Sequence, residues 1–327
     1  MHSATIAAVT LLAATSSALV LPRQQSPQVI AAAGGAPPNG ALPSKISNNA
    51  VADFQGVNFL ENLESAFFEA GLTNLTAWNH DGKLDRAIEI VTKVQAQELI
   101  HVQTAENILK HNGNKTFTPC KYQFPVNNAA EFFALSNIIT SVGIGAVIDV
   151  ASNLALTDPE LVPGPASILA IEARHDAFFR AKSVSHIPNP APFDTRISAT
   201  YALNLASPFI VPNSCTGGMP SFTSIPALNA VQQKTLTGSS GPIDFTFDAG
   251  APNKDDLAKT LYIGWVNQAN VVNYTPATLN GDGKVSTEIP AGLAGLAFAA
   301  LTSQNEAVDV NSLTSFTLAG LAPVQIS

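Results

Sequence analysis

Between Ala52 and Lys182 apolar residues recur at intervals of three and four, the spacing of one face of an α-helix, in four long segments. The first, 52–76, aligns Val57, Leu60, Glu64, Phe67 and Gly71. The second, 82–111, aligns Val94, Glu98, His101, Ala105 and Ile108 and stops at "HNGNK". The third, 128–155, aligns Phe133, Asn137, Thr140, Ile144 and Val147. The fourth, 164–182, opens after the breaker "DPELVPGP" and aligns Ile168, Glu172, His175 and Phe179. Four long helices in succession predict a helical bundle. A fifth, shorter helix is expected at "TRISATYALNLA", beyond the prolines 188, 190 and 192.

From about Val211 the pattern changes. Pro, Gly, Ser, Thr and Asn multiply, and short runs of β-formers ("IDFTFD", "TLYIGWV", "KVSTEI", "LAFAAL", "TSFTLAG") alternate with turn signals such as "AGAPNK" and "NGDGK". The second half therefore reads as a small all-β, sandwich-like domain, and the whole as an α+β multidomain chain. Residues 19–50, rich in Pro, Gly, Ala and Ser without periodicity, read as a flexible linker. Residues 1–18, with a short apolar run from Ile6 to Ala14 and small residues at Ser16 and Ala18, read as a signal peptide. The expected units are thus 1–18, 19–50, a bundle over 51–210 and a β domain over 211–327.

Composition narrows the function. The 327 residues are 46% hydrophobic, enough for a real core, and only 12% charged, with a net charge of −8. An acidic, charge-poor chain is a poor partner for nucleic acid or anionic lipid. The apolar stretch Phe132–Val150 is interrupted by Ser136, Asn137, Thr140 and Ser141, so it reads as a buried helix and no membrane span is expected. The sequons at Asn74, Asn114 and Asn273 suit a secreted glycoprotein, and Cys120 and Cys215, the only cysteines, are expected to form a disulfide in an oxidising compartment. "NGDGK" lacks the acidic series of a calcium loop and reads as a hairpin turn.

The chemistry sits on the helical stripes. Glu98 and His101, and again Glu172 and His175, stand three residues apart, so each pair projects a carboxylate and an imidazole from one helix face otherwise lined by Ile, Val and Phe. With 11 glutamates and 6 histidines in 327 residues, about 0.2 such pairs are expected by chance. A buried carboxylate needs a partner, and a metal ion satisfies carboxylate and imidazole together. A di-metal bundle takes two Glu-x-x-His pairs plus a glutamate from each remaining helix. The first helix offers Glu64 on the stripe and Glu61 at its edge.

"NFLENLESAFFEAGL", "AQELIHVQTAENIL", "VGIGAVIDVAS" and "ILAIEARHDAFFR" resemble successive helices of the ferritin-like domain in secreted fungal stress-response and sexual-development proteins, a family similar to plant desiccation-related proteins. The resemblance covers residues 50–210, and the β tail also resembles the C-terminal part of the fungal members. It implies an extracellular, di-iron-type bundle. The chain departs from that pattern in the third helix, where Thr140 stands in place of the expected carboxylate, which leaves Glu61 or the neutral Asn137 as substitutes. Glu131 and Asp149, nine residues to either side, lie about 13 Å away along the axis and on the opposite face.

The expectation is a secreted or wall-associated protein with two iron or manganese ions held by Glu61, Glu64, Glu98, His101, Glu172 and His175, active in oxidation, peroxide handling or metal sequestration. The competing expectation is a non-enzymatic extracellular scaffold whose β domain binds a glycan or protein partner.

Overall fold

The structure is a computed structural model that describes residues 25–184, 187–231, 240–281 and 283–326. The signal-peptide reading falls outside the described residues. Four long helices form the first half: α2 (Asn48–Trp78), α3 (Asp85–His111), α4 (Ala129–Thr157) and α5 (Pro163–Ser183), preceded by a short α1 (Pro27–Ala33) and followed by α6 (Ala199–Ala206). Each boundary has a local cause. Ser47 caps α2 by accepting from Ala50 N–H, and Asp158 in turn takes the amide and hydroxyl of Ser47, which ties the start of α2 to the end of α4. Asn128 caps α4 by accepting from Glu131 N–H while the Glu131 carboxylate accepts from Asn127 and Asn128.

The segment expected as a flexible linker contains α1, a correction with a readable cause. Ser26 accepts from Val29 N–H, Pro27 starts the helix with a fixed φ, and Gly34 ends it at φ 87°. The segment lies against α3: Gln25 donates to Gln103 and Leu99, and the Ala33 carbonyl accepts from Gln97.

The bundle packs α2 against α3 and α4 against α5. One end is aromatic: Phe67, Phe68, Phe132 and Phe179 are all buried, with the Phe68 and Phe179 rings stacked at 5.3 Å. At Gly71 an added Cβ would collide with Phe132, so glycine permits the close approach of α2 and α4 there. α4 is long and apolar enough to cross a membrane by length and composition, and most of its apolar window is buried inside the protein.

The second half is a seven-stranded antiparallel sheet, in order β1 (Leu228–Ala230), β2 (Gly241–Phe247), β5 (Lys284–Ile289), β4 (Asn273–Leu279), β3 (Leu261–Val266), β6 (Gly295–Thr302) and β7 (Thr317–Ile326). Phe245, Ile263, Trp265, Val285, Leu301 and Val324, drawn from both halves of the sheet, share one core. Two short helices, α7 (Lys254–Leu257) and α8 (Val310–Phe316), interrupt it. Residues 314–316, expected in a strand, belong to α8, whose start is capped by Asp309 accepting from Ser312 N–H. Between β4 and β5 Lys284 N–H bonds the Gly281 carbonyl, while Asp282 of "NGDGK" lies outside the described residues. Bundle and sheet meet through an apolar layer of Val142 and Ala146 on α4, Tyr201 on α6, and Val266, Phe298 and Leu313.

Candidate metal centre

Three helices bring six side chains together inside the bundle. α2 supplies Glu61 and Glu64, α3 supplies Glu98 and His101, and α5 supplies Glu172 and His175; none exceeds 7% exposure. His101 Nδ1 lies 3.0 Å from Glu98 Oε2, 3.1 Å from Glu172 Oε1 and 3.6 Å from Glu61 Oε2. His175 Nδ1 lies 3.0 Å from Glu98 Oε1 and 3.5 Å from Glu172 Oε2. Glu98 and Glu172 therefore each turn one oxygen toward one histidine and the other oxygen toward the second. That is the placement of two carboxylates shared between two neighbouring positions.

Glu61, Glu98, His101 and Glu172 can each offer a ligand atom within 4.8 Å of the others. Glu64 stands beside them, and its Oε1 occupies the space that a Cβ at Gly143 would fill, at 2.7 Å. Sequence periodicity favours Glu64 over Glu61; in the structure both are buried, and Glu61 is the one in the tight group. The reason is the width of the helix face: residues 61 and 64 are one turn apart, and Glu61 reaches His101 of α3 while Glu64 reaches Gly143 of α4.

α4 sends no carboxylate to the cluster. The Thr140 hydroxyl instead donates to Asp176 Oδ1 at 2.9 Å, and Asn137 Nδ2 and Ser141 Oγ donate to the same oxygen. Burial pushes the Asp176 carboxyl up to about 6 against the pull of these three donors. Asn137 Oδ1 has no hydrogen-bond donor.

Electrostatically the cluster divides. Burial raises Glu98, but His175 and His101 outweigh it and hold this carboxylate well below its ordinary range. Burial pushes Glu61 up to about 8 despite His101, and pushes Glu64 well above its ordinary value with help from Glu172, Glu98 and Glu61. Burial lowers the histidines, yet the surrounding carboxylates prevail: Glu61, Glu172 and Glu98 raise His101 strongly, and Glu172 and Glu98 lift His175 to about 10.

The residues fit a metal. Glu61 Oε2, Glu64 Oε2, Glu98 Oε1 and both oxygens of Glu172 are buried without a hydrogen-bond donor, as is His175 Nδ1. The opposite nitrogen of His175, Nε2, faces Gln97 Oε1 at 2.8 Å, while Gln97 Nε2 donates to the Ala33 carbonyl. The Gln97 amide thus presents an acceptor to the ring, which keeps one proton on Nε2, so that the proton a metal would displace is the one on Nδ1, facing the carboxylates. Lone pairs converging in a buried space call for cations between them. Four glutamates balance two divalent ions in charge.

Gln97, Gly143 and Asp176 are not among the site residues expected from the sequence. Gln97 sits one turn before His101, Gly143 one turn after Thr140's neighbour Ile139, and Asp176 next to His175; only the first position carries a helical-spacing signal. Of the sequons, Asn74 lies half-buried on α2, Asn114 half-buried after α3 with its Nδ2 bonded to the Asn112 carbonyl, and Asn273 exposed at the start of β4. Cys120 and Cys215 form the expected disulfide.

A bundle of long helices around a buried carboxylate–histidine cluster is the ferritin-like architecture. Residues 52–184 match the family described as the ferritin-like domain. That match spans α2 to α5 and leaves α1 and the sheet outside it. No curated protein matches the chain.

Proposed function

We propose that the protein is secreted and holds two redox-active first-row ions, iron or manganese, for oxidation, peroxide handling or metal sequestration. The observation that carries this reading is the sharing of Glu98 and Glu172 between His101 and His175, with their remaining lone pairs unpartnered inside the bundle. An all-oxygen-and-imidazole donor set suits these metals, and the cysteines are spent in a disulfide. Export is supported by the apolar run at the N-terminus, the disulfide and the three sequons, and the fungal stress-response and sexual-development resemblance suggests the biological setting.

Bound there, such ions supply one-electron chemistry and Lewis acidity. The chain supplies the rest. Glu61, Glu64, Glu98 and Glu172 would hold the ions with His101 and His175, and Gln97 orients the His175 ring. Glu61 and Glu64, reluctant to ionise while metal-free, hold protons that ligation would release. The aromatic end around Phe68 and Phe179 keeps water from that side.

The test is elemental analysis of protein purified without chelators, alongside the double variant Glu98→Ala/Glu172→Ala. The expected ratio is about two redox-active ions per chain, lost in the variant. A ratio below about a tenth that does not rise on loading removes the reading.

A second reading, a binding role for the β domain, rests on one separate feature. Phe193, Val271 and Val308 are exposed at 62%, 71% and 64% and line one cleft of about 640 Å³ where bundle and sheet meet. Exposed apolar groups gathered in a cleft mark a contact surface, here for an extracellular glycan or protein. Phe193→Ser would abolish capture of a wall polymer on this reading and leave it unchanged on the first.

A further inference from the structure

His101 does more than face the carboxylates. Its Nδ1 makes the contacts to Glu61, Glu98 and Glu172, and the same ring lines a chamber of about 320 Å³ on its other side. The imidazole is therefore the partition between the cluster and this chamber.

The chamber lies outside the family match on one side. Its roof is the segment from Ala33 to Pro38, and its walls are Ile100 of α3 with Ile168 and Ile171 of α5. The roof is held in place by the Gln97 bond to the Ala33 carbonyl and by Gln25 bonding to Leu99 and Gln103. A second cavity of about 480 Å³ shares Pro38, Thr104 and Gly164 with the first and continues along the roof. The two cavities adjoin along the roof, and the first reaches His101.

The lining chooses the ligand class. Among the described residues no Asp, Glu, Lys or Arg side chain lines the chamber, so a charged ligand would lose its hydration without a counter-charge. Both ends of the Gln97 amide are taken, and the Thr104 hydroxyl donates to the Ile100 carbonyl. The His101 ring is left to meet a ligand at the chamber's inner end, with the Ser167 hydroxyl at the exposed mouth. A cavity of about 150 Å³ suffices for benzene; this one takes a substituted ring.

We propose that this chamber is a small-molecule site for an uncharged, ring-sized organic compound with one hydroxyl directed at His101, a phenol being the simplest example. Its role as the substrate site rests on the metal-centre reading; the binding itself does not.

The experiment is a ¹⁹F line-broadening titration with 4-fluorophenol on the full secreted chain, as purified and after chelation, with 4-fluorobenzoate as the charged comparison. Ile168→Trp fills the chamber wall, and Ser167→Trp, at an exposed position of the mouth, obstructs it with little risk to folding. Saturable 4-fluorophenol binding is expected, weakened about tenfold or more in both variants at unchanged helicity and metal content. Equal binding in the parent and both variants, no saturable binding, or benzoate binding as tight as phenol would each overturn the proposal. Phenol binding that the variants weaken in a chain that takes up no metal keeps the chamber and removes the centre; two ions without phenol binding does the reverse.

Discussion

His175 Nε2 lies 2.8 Å from Gln97 Oε1, and this one contact decides which nitrogen of the ring meets Glu98 and Glu172. Gln97→Leu removes the acceptor and frees the ring to turn or change tautomer. Metal affinity is expected to fall about 10- to 100-fold with unchanged helicity. Gln97→Glu restores the acceptor and should recover most of it. If competition titrations against a chelator give equal affinities for Gln97→Leu and the parent, His175 is not oriented through this bond.

Gly143 tests whether Glu64 belongs to the centre. A methyl there would come within 2.7 Å of Glu64 Oε1, the free end of a flexible side chain, so Gly143→Ala should fold and displace the carboxylate rather than break the helix. Elemental analysis is expected to show about one ion per chain in place of two. An unchanged ratio would place Glu64 outside the ligand set.

The metal-free cluster stores protons. Burial pushes Glu61 up to about 8 and the neighbouring carboxylates lift His175 to about 10, so at pH 7 both keep a proton, while Glu64 and His101 are shifted in the same direction. Loading two divalent ions should then release at least about two protons per chain, read by a pH indicator in weak buffer. Release of fewer than about two would mean that the cluster is not displaced by metal as a unit.

Sequence periodicity located the long helices because their stripes are broad, and it located both Glu-x-x-His pairs because polar residues interrupt those stripes. It missed what depends on single atoms or on short elements. β4 carries Pro276 and is largely exposed, and β1 is three residues long, so neither shows alternation. α1 is written in caps alone, Ser26 and Pro27 at one end and Gly34 at the other, inside a stretch whose composition reads as linker. At the centre, the stripe ranks Glu64 above Glu61 because it treats a helix face as a line. The clearance at Gly143 and the diversion of Thr140 to Asp176 are contacts between elements, which spacing within one helix does not encode.

Asp53 gives the protein a pH dependence away from the centre. It is buried on α2 with Oδ2 unpartnered; burial, with Asp149 and Asp158 nearby and only Asn153 opposing, raises its carboxyl from 3.8 to about 6. Below 3.8 folded and unfolded chains both hold the proton. Between there and about 6 the unfolded chain releases a proton that the fold keeps, so stability falls as pH rises across that window. Asp53→Asn should flatten that slope and raise the melting temperature at pH 7 relative to the parent. A parallel pair of melting-temperature curves would show that Asp53 titrates normally.

The Cys120–Cys215 bridge joins the α3–α4 connection to the segment between α6 and the sheet, closing a separation of 95 residues. Hydrogen bonds already hold that junction: Val211 N–H donates to the Lys121 carbonyl, Lys121 N–H donates to Ser214 Oγ, and Tyr122 pairs with Ile210. The native geometry therefore does not depend on the bridge, and its contribution falls mainly on the unfolded chain, whose freedom it restricts. For a loop of that length the chain-entropy relation gives about 4–5 kcal/mol. Cys120→Ala/Cys215→Ala should keep the parent's near-ultraviolet circular dichroism while its stability to urea falls by roughly 3–5 kcal/mol. A large loss of native signal before denaturant is added would mean instead that the bridge shapes the folded junction.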